Sequence, residues 1–288
     1  MSIVITQLYT YPIKSCAGLA HNAIAFSQAG LQWDRQWVIV DGDGQFMTQR
    51  QYPRMALIRP SFLNSHLHIQ APEMPDIVVP LKAELKQALP VRIWKSDTLG
   101  QDEGDAAAAA LSQFMGLSCR LLRVHRHATR LASPELQEAW LEQNAVWAKR
   151  FPQRHVFGFA DGFPFLICNQ ASLDELNRQI VADGSQPVGI ERFRPNIVVT
   201  GLEAYDEDHV AGLRPQEGNA VLAFVKHCTR CKLPNVDPRT AQVGAEPGRT
   251  LEKQRSFDAG ILFGVNAVVS AAEGVFHVGD EFTPEYGF

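Results

Sequence analysis

At 288 residues and 45% hydrophobic content, the chain exceeds an average domain and carries enough apolar material for one large core or two smaller ones. A formal net charge of −4 with 20% charged residues excludes a general affinity for nucleic acid or an anionic surface, so any anion must be held locally. Five scattered cysteines, at 16, 119, 168, 228 and 231, make no disulfide framework, and no window approaches the ~20 apolar residues of a membrane span. The start lacks a basic region followed by an apolar one, so a soluble, cytoplasmic protein in a reducing compartment is expected.

The first hundred residues read as short strands separated by turn chemistry. Ile3 to Tyr11 is the first, and Trp37 to Val40 is another, followed by the hairpin signal Asp41-Gly42-Asp43-Gly44 and a return at Phe46-Met47-Thr48. Further strands are expected at Ala56-Leu57-Ile58, His66 to Ile69, Ile77 to Val79 and Val91 to Trp94. A helix interrupts at Asp105 to Met115, where an alanine run has high propensity and Gly116 is placed to stop it. Leu121-Leu122 leads a strand. Ser133 caps a helix with Pro134 at its first position, and Ser172 with Glu175 forms a capping box for another. The remainder returns to strands at Ile197 to Val199, Ala220 to Val225, Ala267 to Val269 and Val275 to Val278. So many short strands favour barrels or sandwiches over a parallel sheet, and the fold class is mostly β with several helices (α+β), in two β-rich modules.

Three segments carry chemistry. In Tyr11-Pro12-Ile13-Lys14-Ser15-Cys16 an apolar strand ends in a cation and a hydroxyl; with the fork of Arg35, Lys14 and Ser15 could grip a phosphate. Taken singly, each reads more readily as a solvated surface group. Arg194 and Asn196 precede the buried strand Ile197-Val198-Val199, where strand-entry capping is the plainer role. The densest signal is His227-Cys228-Thr229-Arg230-Cys231, directly after an apolar run. A thiolate suits soft transition metals, and a flanking cation lowers a thiol's pKa. A structural zinc would need two more ligands at close spacing, and a redox dithiol sits at a helix start, whereas this pair ends a strand. Spacing alone leaves ordinary buried thiols open.

In chain order, Tyr-Pro-Ile-Lys-Ser-Cys from Tyr11, Asp34-Arg35, Pro164 to Ile167, Phe193 to Ile197, and Cys228 to Cys231 with Val236-Asp237-Pro238 resemble the MOSC proteins, the molybdenum cofactor sulfurase C-terminal superfamily. The likeness is to the branch of the mitochondrial amidoxime-reducing component and its bacterial relatives. The resemblance implies an N-terminal MOSC β-barrel domain at 1–122 and a C-terminal MOSC β-barrel domain at 123–288, with a molybdopterin-type molybdenum cofactor between them. It implies Cys231 as molybdenum ligand and catalytic residue, with Cys228 a non-ligating neighbour. Lys14, Ser15 and Arg35 would hold the cofactor phosphate; Arg194, Asn196, Thr229 and Arg230 would contact the pterin or the metal's surroundings. Asn266 falls at a further cofactor-contacting position, though the residue type departs from the family's tyrosine. Pyridoxal phosphate binding is not expected.

Two features stand apart. Gly162 and Phe163 replace small hydroxyl residues of the family, so only backbone groups remain there, and the basic run Arg120, Arg123, His125, Arg126, His127, Arg130 either helps neutralise the phosphate or forms a solvated strand face. The implied reaction is reduction of small N-hydroxylated substrates such as hydroxylamines, amidoximes and N-hydroxylated bases. Electrons would come from a separate iron–sulfur or flavin electron-donor protein, because the chain has neither a cluster-binding cysteine set nor a dinucleotide fingerprint. The alternatives are a sulfur carrier or transferase using a persulfide at Cys231 or Cys228, and a cofactor storage or delivery protein.

Overall fold

In the computed structural model, which describes residues 2–145, 147–152 and 154–287, seven strands close into a barrel. Going round, they are Phe165–Asn169, Ile197–Thr200, Ile3–Thr10, Glu281–Tyr286, Val210–Pro215, Leu222–Thr229 and Gly260–Val269, which pairs back onto the first of the ring. The N-terminal strand thus sits inside a ring otherwise built from residues beyond 160, between partners at Ile197–Thr200 and Glu281–Tyr286.

Alternation along these strands sorts side chains to two sides. Ile197 and Val199 point into the barrel core with Ile5, Ile167, Val265 and Ala267. Val198 and Cys168 point outward into a second cluster with Leu173, Leu176 and Ile180. Burial on both faces explains why Ile197–Thr200 reads as a continuous apolar run.

A half-barrel adjoins this ring. Strands Trp37–Val40, Arg120–Val124, Ser96–Asp102 and Leu89–Ile93 form one sheet, and Arg59–Leu63, His66–Gln70 and Ile77–Pro80 form another. Four helices are present among the described residues: α1 (Asp105–Met115), α2 (Pro134–Gln143), α3 (Gln170–Ala182) and α4 (Gly248–Gln254). α1 buries Leu111 and Phe114 against Trp37, Ile39 and Leu121, and it ends as expected at Gly116, whose left-handed backbone (φ 74°) no side chain hinders. Ser133 caps α2 by accepting from the Leu136 amide.

Some expected elements fall elsewhere. Ala56-Leu57-Ile58 belongs mostly to a 3-10 turn, Pro53–Leu57, opened by a proline at its first position. Phe46 returns only as a single bridge to Val40. α3 starts two residues before Ser172, with Asn169 as cap, because the Ser172 hydroxyl instead donates to the buried carboxylate of Glu207 at 2.7 Å.

Candidate functional site

The loop after the N-terminal strand is tied to Asp34-Arg35 by short-range backbone geometry. Asp34 Oδ1 accepts from the Tyr11 amide at 2.8 Å, and the Arg35 amide donates to the Tyr11 carbonyl at 2.9 Å. The Tyr11 ring, 2% exposed, lies between two guanidiniums, with Arg35 4.3 Å and Arg194 4.1 Å from its centroid. Ser15, Arg35 and Arg194 all adopt left-handed backbone (φ 64°, 46° and 58°), at a cost of about 1 kcal/mol each that surrounding contacts must offset.

Around them opens a cavity of 490 Å³. The residues expected to contact a cofactor all line it: Lys14, Ser15, Arg35, Arg194, Asn196, Thr229, Arg230, Cys231 and Asn266. Their situations differ. Asn196 is 2% exposed; its Oδ1 accepts from the Leu166 amide and its Nδ2 donates to the Tyr9 carbonyl, so it clamps three barrel strands at the cavity floor. Arg230 donates to the carbonyls of Phe263 (2.8 Å) and Phe193 (3.0 Å), beside the stacked pair of those two rings.

The thiol pair sits where the strand Leu222–Thr229 ends. That strand shifts register against Gly260–Val269 twice, between Phe224 and Lys226 and between His227 and Thr229, and such irregularities re-aim side chains. Cys228 is half-buried, and burial raises its thiol above the ordinary range against the opposing pull of Arg230. Burial likewise pushes Cys16 and Cys168 up to about 12, with Arg194 and Arg230 respectively opposing. Cys231, two residues past the strand, is the exposed thiol on the cavity wall.

Four contributors were not legible beforehand as site residues. Asp161, named only within its loop, has Oδ1 2.6 Å from Lys14 Nζ and 2.7 Å from Trp94 Nε1. Trp94 stands on a hairpin tip with Phe46 edge-on at 5.1 Å and the Arg50 guanidinium 4.5 Å over its ring. No local pattern marks such partners, because Lys14 and Asp161 are 147 positions apart. Of the two readings left open for the basic run, phosphate neutralisation finds no support, since its residues do not line the cavity. Arg120 pairs with Asp102 and Asp105, Arg123 with Glu103, and Arg130 donates to the carbonyls of Gly158, Ala160 and Asp161, which pins the loop bearing Asp161.

Electrostatically the cavity favours anions. Lys14 is paired with Asp161 and Arg35 with Asp34. Among the described residues Arg50, Arg194, Lys226 and Arg230 line the cavity with no carboxylate at ion-pair distance, and Arg194 Nη2 is buried with no hydrogen-bond partner. Burial, then repulsion from Arg35, lowers Arg194 to about 10, and burial lowers Lys14 to about 8 despite Asp161. Among the described residues, no group of three or more His, Cys, Asp or Glu side chains is placed to hold a metal ion, and no helix is long and apolar enough to cross a membrane.

Two family models match: the MOSC N-terminal beta barrel domain over residues 2–118 and the MOSC domain over residues 154–283. Among curated relatives, mitochondrial amidoxime-reducing component 1 of Xenopus laevis is 30% identical over 291 aligned positions, covering 96% of this chain and 80% of the relative. Mitochondrial amidoxime reducing component 2 is 33% identical in Homo sapiens and 32% identical in Bos taurus, each alignment covering 88% of this chain and 73% of the relative.

Proposed function

The chain belongs to the MOSC family, and from that premise we propose that it is a molybdenum-cofactor-dependent reductase of small N-hydroxylated compounds. The observation that carries this reading is the pairing of an exposed thiol, Cys231, with a cation-rich cavity that leaves Arg194 Nη2 buried and unpartnered. Arg194 Nη1 donates to the Cys16 carbonyl, but a buried guanidinium nitrogen left without an acceptor is costly unless a ligand supplies one. A single exposed thiol, Cys231, on the cavity wall suits a metal that arrives already chelated, as in a pterin dithiolene cofactor.

In this reading Cys231 ligates the molybdenum, Lys14, Ser15 and Arg35 receive the terminal phosphate, and Arg194, Asn196, Thr229, Arg230 and Asn266 surround the pterin and metal. When bound, the cofactor supplies two-electron chemistry at the metal, and the protein supplies orientation and charge. Phe46, Trp94 and Phe163 give the cavity lining apolar, flat-sided surface suited to small planar substrates. Electrons come from a separate iron–sulfur or flavin protein; the five unpaired thiols suit a reducing, cytoplasmic setting.

The test is molybdenum and pterin content of protein purified from a host that makes the cofactor. Wild type should hold near-stoichiometric metal, Cys231→Ala should lose both metal and reductase activity, and Cys228→Ala should largely keep both. Equal loss from the two substitutions would refute the single-ligand assignment. Metal-free wild type would point instead to a sulfur carrier acting through the same exposed thiol.

A further inference from the structure

Among the described residues lining the cavity there are six cationic side chains and a single carboxylate, Asp161. Its position is asymmetric. The Lys14 side chain is 7% exposed and fixed by a second bond to the Phe159 carbonyl at 2.9 Å, whereas the Asp161 side chain is 73% exposed. The loop beneath Asp161 is held by Arg130, so the carboxylate can swing while its backbone stays. A buried ammonium cannot be left without an anion, and here the movable partner is the acid.

We propose that Asp161 is the cavity's built-in counter-anion: it holds Lys14 until a phosphate-bearing ligand takes its place, which makes the Lys14 seat selective for phosphate over singly charged anions. A monovalent ion gains nothing by displacing a tethered carboxylate already at 2.6 Å. A phosphate carries more charge and more acceptor oxygens, and Arg35, whose charge is felt at both Lys14 and Asp161, adds a second attraction. Trp94 shares the same carboxylate oxygen, so its indole N–H is released when Asp161 leaves. The inference rests on the cation cradle of the proposed function and not on the metal.

The experiment is calorimetric titration of the full chain, from a host that does not make the cofactor, with inorganic phosphate and separately with acetate. Wild type should bind phosphate and not acetate. Asp161→Asn should bind phosphate about ten-fold tighter and begin to bind acetate, one charge-assisted competitor having been removed. Trp94→Phe, which removes one tether from the carboxylate but keeps an aromatic ring, should gain about two- to three-fold in phosphate affinity. Lys14→Met should bind no phosphate. Unchanged phosphate affinity in Asp161→Asn, or no phosphate binding by wild type and Asp161→Asn alike, overturns the proposal. If Asp161→Asn does not fold, Trp94→Phe decides, and wild-type affinity there overturns it. Molybdenum content of wild type, measured separately, reports on the reductase reading alone, so the two can fail independently.

Discussion

Two polar clusters flank the same barrel, and they differ in the sign of the charge they leave unpaired and in their access to solvent. The cradle opens to a cavity and keeps Arg194 and Arg230 without carboxylate partners among the described residues. The other cluster is sealed: Glu207, 1% exposed, accepts from Ser172 (2.7 Å) and Asn169 (3.2 Å), while Asp208 pairs with Arg255, which stacks on Tyr205 at 4.2 Å. Cys168 lies between them and feels the charges of both Arg230 and Glu207. The sealed cluster has one internal ion pair, Asp208–Arg255, while Glu207 is met only by the neutral donors Ser172 and Asn169. The open one is left unmatched, and its left-handed backbones at Ser15, Arg35 and Arg194 add to the cost.

That contrast can be broken most strongly at Arg255. Arg255→Ala leaves Asp208, whose side chain is 11% exposed, buried without its counter-ion, and should lower unfolding free energy by about 3–5 kcal/mol in urea titration. Phosphate binding by whatever fraction remains folded should be unchanged, since neither residue lines the cavity.

Next in size is a pH effect. Burial raises Glu207 to about 7 from an ordinary 4.5, against the hydrogen bonds from Ser172 and Asn169. The folded state therefore holds this proton more tightly than the unfolded chain. Its contribution is full below about pH 4.5 and is lost as pH rises through 7. Glu207→Gln should remove that decline, so its advantage over wild type, on the order of 2–3 kcal/mol at most, should appear in melts at pH 8 and vanish at pH 4.5. An advantage independent of pH would show that the carboxyl does not titrate in this window.

The smallest effect sharpens the comparison from the other side. Ser15→Gly relieves a positive φ of 64° and should raise stability by up to about 1 kcal/mol, while loss of the hydroxyl lowers phosphate affinity several-fold. A substitution that stabilises the chain and weakens the ligand site is what an unmatched cradle requires; a loss of both would make Ser15 an ordinary structural residue.

Local signals were legible where local physics decides. The ends of α1 follow from its alanines and Gly116, and the outward and inward faces of Ile197-Val198-Val199 follow from alternation. Lys14 and Ser15, which end an apolar strand, and Arg35 were named from the sequence and line one cavity. What stayed hidden depends on distant partners. The strand Glu281–Tyr286 carries three acidic or proline residues in six and forms because Ile3–Thr10 and Val210–Pro215 flank it. α4 is only seven residues long, below what propensity alone can mark. Asp161 became a site residue only when the fold carried it to Lys14 and Trp94, just as Ser172 left its expected capping role when Glu207 came within reach.

The placement of Ile3–Thr10 between Ile197–Thr200 and Glu281–Tyr286 also governs the order in which the molecule can assemble. At a ribosomal rate of about 5–20 residues per second, the first strand waits roughly 10 to 60 seconds for its last neighbour. Through that interval the half-barrel can already collapse around α1, since its own sheets draw on residues up to Val124. Ring closure is then a late, high-contact-order event. The cavity lining includes Thr229 and Asn266, which stand on later strands of that ring, so newly made chains complete the ligand cavity late.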